Sequence, residues 1–157
     1  MGALAIAEPE SAVGPLKIFG SVPAWAIAHA MDDDSMAPLL RYGEVAVVES
    51  MGQKGWYPVQ GALFLIEYIS APQGDSKYER RQRAVVQTNC RALPSGEMRW
   101  WADPLQRMSS PQRAAQLAKS GRLYCSDGPY RDEFVLADKL LGRVAGIYRP
   151  DWRSTPN

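Results

Sequence analysis

The side chains best suited to do chemistry lie in a short run around one serine. Ser35 follows three consecutive acidic residues, Asp32 to Asp34, and precedes Pro38 by three positions. A glycine at position 43 and the small, β-branched run from Val45 to Glu49 come next, which predicts a turn followed by a strand. This order places a hydroxyl at the edge of a β-scaffold, where a serine acts as a nucleophile once a neighbouring base takes its proton.

The run from Asp33 to Val48 resembles the nucleophile motif of the LexA/UmuD-type peptidases, the S24 family, which is roughly G-D-S-M-x-P-x-[LF]-x-x-G-D-x-V-x-V. Asp33 stands in place of the glycine, and Glu44 replaces the second aspartate. A second run, Leu141 to Trp152, is similar to the last strand of these domains. The residues that match the first motif are Asp34, Ser35, Met36, Pro38, Leu40 and Gly43, and Val45 and Val47 lie in the small, β-branched run that follows them.

This resemblance implies a mainly β fold, with bent antiparallel sheets of the LexA catalytic-domain type and one or two short helices. We expect a flexible N-terminal arm over residues 1–15 and one S24 peptidase-like domain over residues 16–153. The resemblance also implies work in the SOS stress response, phage-type regulation or control of transcription. Two function classes follow: a serine peptidase with weak or degenerate catalysis, and a non-catalytic, dimerising or partner-binding module on the same scaffold.

The resemblance assigns Ser35 as the nucleophile of a Ser-Lys dyad, with Asp34 and Met36 contacting a substrate. The lysine of such a dyad must lose its proton, which burial among apolar groups favours. Lys77 is the nearest lysine in the aligned region, whereas Arg80 or Arg81 best fits the lysine position by register. An arginine cannot serve as the base, because its guanidinium does not deprotonate in proteins. Which of Lys77, Arg80 and Arg81 occupies the lysine position therefore stays open.

Other candidates have a chemical and an ordinary interpretation. The acidic run, Asp32 to Asp34, is either a cation site or a solvated turn, and no matching ligand set accompanies it. His29 is either a surrogate base or a strand histidine with an ordinary hydrogen bond. The basic cluster from Arg80 to Arg83 either contacts phosphate or is a solvated or salt-bridged hairpin. We expect no metal and no cofactor.

Composition limits the partners. The chain has 157 residues, of which 46% are hydrophobic, and a net charge of +1, so bulk charge predicts neither a nucleic-acid nor a membrane partner. Cys90 and Cys125 lack metal-ligand spacing and fit a reduced, cytoplasmic protein. We expect a peptide or protein partner in the Ser35 cleft. We also expect a homodimer, because LexA-like domains pair through their terminal strands and Leu141 to Tyr148 is apolar.

Local patterns predict the elements that position the serine. A helix is predicted over Gln112 to Ser120, because Ser109 or Ser110 can cap it, Pro111 fits its first turn and Gly121 can end it. No Ala-Gly or Cys-Gly bond, the type that LexA-like proteins cut in their own chain, precedes Ser35. Strands are predicted at residues 16–19, 24–30, 45–49, 62–69, 78–88, 98–102, 122–125, 133–136 and 141–148.

Overall fold

The computed structural model describes residues 16–50, 57–70 and 80–150. Strands dominate this part of the chain, which confirms the predicted mainly β fold. The predicted arm, residues 1–15, and the last three residues of the predicted domain lie outside the described residues. The strands are β1 (Lys17–Phe19), β2 (Ala26–Ala30), β3 (Val45–Ser50), β4 (Leu63–Ser70), β5 (Arg80–Ala92), β6 (Met98–Asp103), β7 (Asp127–Tyr130) and β8 (Leu140–Tyr148).

Two short helices complete the described elements. Helix α1 (Pro111–Lys119) begins as predicted, because the Ser110 side chain accepts a hydrogen bond from the Arg113 N–H. Helix α2 (Glu133–Ala137) stands where a strand was predicted, so that prediction was wrong. The Asp132 carboxylate accepts from the Val135 N–H, and this cap outweighs the strand preference of the apolar residues that follow.

The strands form one sheet in the order β2-β3-β8-β4-β5-β6-β7, and β1 pairs with β8 beside this path. Every pairing is antiparallel except that of β1 with β8, which is parallel. The predicted strand at residues 122–125 is not a strand, since β7 begins only at Asp127. β8 thus lies inside the sheet, between β3 on one side and both β4 and β1 on the other.

Irregularities in the ladders bend the sheet around β8. The register shifts between Val47 and Val48 where β3 meets β8, and between Leu65 and Ile66 where β4 meets β8. Such bulges bend a strand and increase its twist. Gly146 allows β1 to lie close against β8, because a Cβ there would collide with the Lys17 carbonyl oxygen and the Phe19 ring.

The β4–β5 pair is buried on both faces, which divides the core in two. On one face Phe64, Ile66 and Val86 pack with Leu136 of α2, and we call this the helix-side cluster. On the other face Leu63, Leu65 and Val85 pack in what we call the turn-side cluster. Its remaining buried members are Met31, Met36, Leu40, Ala46, Val48, Val144 and Ile147.

Neither helix of the described residues is both long and apolar enough to cross a membrane.

Candidate functional site

Ser35 lies in a compact turn, residues 33–40, that follows β2; we call it the Ser35 turn. The Asp33 carboxylate accepts a hydrogen bond from the Ser35 N–H at 2.9 Å, which is the short-range bond that makes Asp a good turn residue. Asp34 accepts from the Tyr42 N–H at 2.9 Å and ties the start of the turn to its return. The Met36 carbonyl accepts from the N–H groups of Leu39 and Leu40, both at 3.0 Å.

Packing in the hydrophobic core holds this turn in place. Met36 and Leu40 are completely buried in the turn-side cluster, so the turn is fixed by packing as well as by its hydrogen bonds. Ser35 itself is 4% exposed. In this structure the Met36 side chain packs in the core, and its predicted contact with a substrate stays a prediction.

A distant loop holds the Ser35 backbone in place. The Ser35 carbonyl accepts two hydrogen bonds, from the N–H groups of Leu105 at 2.9 Å and Gln106 at 2.8 Å. The Gln106 side chain also donates to the Ala37 carbonyl at 2.8 Å. Leu105 packs against the turn-side cluster. The loop that follows β6 therefore clamps the Ser35 turn, a contact that no pattern in the sequence indicates.

A buried carboxylate anchors the start of that loop. Asp103, the last residue of β6, has a side chain only 4% exposed, and it accepts from Arg91 at 2.5 Å and from Asn89 at 2.8 Å. Arg107 lies on its other side at 3.5 Å. Burial alone would raise the pKa of Asp103, but these hydrogen bonds, led by that of Arg91, hold it below its usual range. Asp103 thus stays charged and fixes the chain just before Leu105.

No candidate base contacts the Ser35 hydroxyl in the described part of the chain. The hydroxyl makes no hydrogen bond with any residue that the structure describes. Lys77, the lysine predicted as the base, lies outside the described residues, and its role stays a prediction. The geometry therefore shows a fixed serine without an activating partner among residues 16–50, 57–70 and 80–150.

The two arginines at the predicted lysine position lie at the start of β5. Arg80 pairs with Ser70 and Arg81 with Ile69, far toward the hairpin end of the β4–β5 ladder. The Arg81 guanidinium bonds Glu67 at 3.0 Å, and its side chain is 76% exposed. Because arginine stays protonated, neither residue can take a proton from a serine.

His29, the predicted surrogate base, is half-buried on β2, with its side chain on the same side as Ile27, which packs on the turn-side cluster. Burial lowers the pKa of His29 below 6.5, and Asp32 and Asp33 partly counter this effect. The Arg83 guanidinium lowers that pKa further. The ring makes no hydrogen bond with another residue in the described ranges. His29 is therefore neutral at pH 7 and close to the acidic run.

Two tyrosines interact with the acidic run, one by a hydrogen bond and one through the charge of that run. The Tyr124 hydroxyl accepts a hydrogen bond from the Asp34 N–H at 3.3 Å. Burial raises the pKa of Tyr68 to about 12, and the carboxylates of Asp127 and Asp33 add to the increase. Both tyrosines stay neutral at physiological pH. Neither tyrosine lies in a motif of the sequence, so neither was predicted to belong to the site.

Two groups of charged residues, the acidic run and the basic cluster, were each given two interpretations from the sequence. No group of three or more His, Cys, Asp or Glu side chains within the described ranges is arranged to hold a metal ion. Arg83 lies 3.6 Å from Glu67, which also binds Arg81, so two members of the basic cluster share one carboxylate. This arrangement matches the interpretation as a salt-bridged hairpin.

Comparisons of the chain with protein-family models, with curated proteins and with solved structures find no significant match.

Proposed function

We propose that the chain is a LexA-like, S24-type domain in which Ser35 occupies the nucleophile position without an activating base, and that it binds a protein partner rather than cutting it. The observation that carries the proposal is the Ser35 hydroxyl, which has no hydrogen-bonded base among the described residues. Arginines stand at the position that the resemblance gives to the lysine. The fixed backbone of the Ser35 turn supports recognition, because a preorganised surface loses little entropy on binding.

The missing cleavage bond supports the same proposal. Self-cutting relatives need an Ala-Gly or Cys-Gly bond upstream of the serine, and no such pair precedes Ser35 in this chain. The stress-response or phage-type setting belongs to the proposal on the ground of the resemblance alone.

A fluorophosphonate probe, which labels activated serines, tests this function. We expect no labelling of Ser35 at neutral pH, and an intact chain after incubation at alkaline pH, since raising the pH neutralises a buried lysine but not an arginine. A labelled or cleaved product that disappears in Ser35→Ala would establish the peptidase instead. If that product also disappears in Lys77→Ala but persists in Arg81→Ala, then Lys77 is the base.

A further inference from the structure

Strand β2, directly before the Ser35 turn, is an edge of the described sheet. It pairs with β3 on one side, and no described strand lies on its other side. The β2–β3 register is unbroken from Ala26 opposite Glu49 to Ala30 opposite Val45. Ala28 and Ala30 are exposed. The free side of β2 is therefore regular and unpaired by any strand that the structure describes.

The alternation of the ladder shows which backbone groups face outward. The Met31 N–H donates to the Glu44 carbonyl at 2.8 Å, and the Met31 carbonyl accepts from the Gly43 N–H at 2.9 Å, so Met31 faces β3. In an antiparallel pair the residues alternate between facing the partner strand and facing away from it. The N–H and C=O groups of Ala28 and Ala30 therefore point away from the sheet, ready to pair with another strand.

This edge lacks the usual protection against pairing. Natural sheets guard their edges with lysines, prolines, bulges or very short strands. Ala26 to Ala30 contains no lysine and no proline, and the only charged type in it is His29, whose ring faces the core side. Small alanine side chains on the outer face leave room for the side chains of an added strand.

The two ends of the β2 edge differ in chemistry. Trp25 stands at its start, 54% exposed, and packs edge-to-face against Phe19 with ring centroids 6.2 Å apart. The acidic run stands at its end, and Asp32 makes no ion pair or hydrogen bond with another described residue. Arg83, the nearby cation that acts on His29, is already shared with Glu67. From Trp25 to Asp32 an extended strand covers about 23 Å.

We propose that the β2 edge binds an extended, basic segment of another protein by strand addition, with an apolar residue at Trp25 and lysines or arginines beside the acidic run. Main-chain hydrogen bonds to Ala28 and Ala30 supply the pairing, and the two ends select the sequence. The inference rests on the proposed binding function and names the chemistry of its partner.

Charge argues against a second copy of this chain as the occupant. Antiparallel pairing of two β2 strands about Ala28 sets Asp32 of one copy opposite Ala24 of the other. The segment from Gly20 to Met31 holds no lysine or arginine, so such pairing brings no cation to the acidic run. Parallel pairing of two copies places acidic run beside acidic run, which is repulsive.

The chain's own first fifteen residues are also poorly matched to this edge. They carry Glu8 and Glu10 and no lysine or arginine. Such a segment adds negative charge next to Asp32 to Asp34, where an occupant of opposite charge is favoured. A basic segment from another protein satisfies both the open backbone groups and the unpaired Asp32 carboxylate.

Synthetic peptides about nine residues long, enough to span β2, test the proposal. One probe carries a leucine at one end, a threonine-valine repeat in the middle and three lysines at the other end. A matched probe replaces the lysines with glutamates, and both are made with the charges at either terminus to cover both strand directions. Fluorescence anisotropy with the full chain should show at least tenfold tighter binding of the lysine probe.

Two variants locate the site. Asp32→Asn should weaken binding of the lysine probe about threefold, the scale of one exposed charge pair. Glu97→Gln, which removes an exposed carboxylate at the far end of the sheet, should leave binding unchanged.

Ala28→Pro should abolish binding, because it removes an outward N–H that β3 does not use. A lysine probe with N-methylated amides in its middle should fail likewise, and it leaves the protein unaltered.

Equal binding of the lysine and glutamate probes, or of the plain and N-methylated probes, would overturn the inference, as would no binding of either. Sedimentation showing a dimer that Ala28→Pro dissociates would assign the edge to a second copy and overturn it too. These results are separate from Ser35 labelling. Labelling of Ser35 refutes the non-catalytic function, whichever peptide binds. Equal binding of the lysine and glutamate peptides refutes only the basic partner.

Discussion

Gln106 is bonded to the turn on both sides of Met36: its backbone N–H donates to the Ser35 carbonyl and its side chain donates to the Ala37 carbonyl, each at 2.8 Å. The residue thus ties the Ser35 turn to the loop after β6. A serine held in this way has a defined position whether it reacts or only contacts a bound segment.

Gln106→Ala removes the side-chain bond and keeps the backbone bonds to Ser35. We expect a loss of about 0.5–1.5 kcal/mol in the free energy of unfolding, the net worth of one such hydrogen bond. Urea denaturation measures it. Gln116→Ala, an exposed helix position, is the control and should cost nothing. An unchanged stability in Gln106→Ala would show that the clamp rests on the backbone bonds alone.

Arg91→Ala should destabilise the protein by about 1–3 kcal/mol, because it leaves the buried Asp103 carboxylate with fewer donors. The effect stays in this range since Asn89 and Arg107 remain near Asp103. Urea denaturation compares this variant with Arg81→Ala, whose guanidinium pairs with Glu67 and whose side chain is 76% exposed. Equal losses in the two variants would contradict a special role for Asp103.

The lowered pKa of Asp103 predicts how the stability of the protein changes at low pH. Its pKa in the folded protein lies below the ordinary value of 3.8, so its stabilising contribution is complete above that value and is lost as the pH falls through the folded pKa. Asp103→Asn should therefore be less stable at neutral pH and lose less stability between about pH 5 and pH 2. Thermal melts across that range test it, with Asp138→Asn, an exposed carboxylate, as the control.

His29 is the single histidine of the chain, so its titration is unambiguous by NMR. Its pKa is lowered by burial, which means that the folded state favours the neutral ring. The stability from this preference is complete above pH 6.5 and declines as the pH falls through the folded pKa. His29→Gln should remove that decline. A folded-state pKa at or above 6.5 would be incompatible with a half-buried, unpaired ring.

The homodimer that the resemblance implies stays a prediction. The structure restricts the strand edges through which such a dimer can form. The predicted interface strand, β8, is paired along both of its edges, so strand addition there is blocked for most of its length. Sedimentation at about 10 μM, where a modest interface is populated, tests for the dimer. A clean monomer at that concentration would count against it.

The sequence predicted the elements better than the contacts between them. Short runs of apolar, branched and aromatic residues located β4 and β8, and the Ser35 motif located its turn, because these depend on neighbouring residues. The misassigned α2 shows the limit, since one cap at Asp132 decided between a strand and a helix. The clamp from Gln106 depends on the tertiary fold, so local patterns contain nothing that predicts it. The register of β5, which sets where Arg81 lies, likewise follows from pairing rather than from spacing.

The interior place of β8 has a consequence for how the chain folds during synthesis. β8 joins β3 to β4 and also holds β1, yet among the described strands it is the last to leave the ribosome. Until residues 140–148 emerge, the first three strands and the following hairpins have no strand to connect them. We therefore expect slow folding that starts late, as long-range pairings require. Nascent chains stalled before Leu140 should remain sensitive to protease, and those stalled well beyond Tyr148 should become resistant.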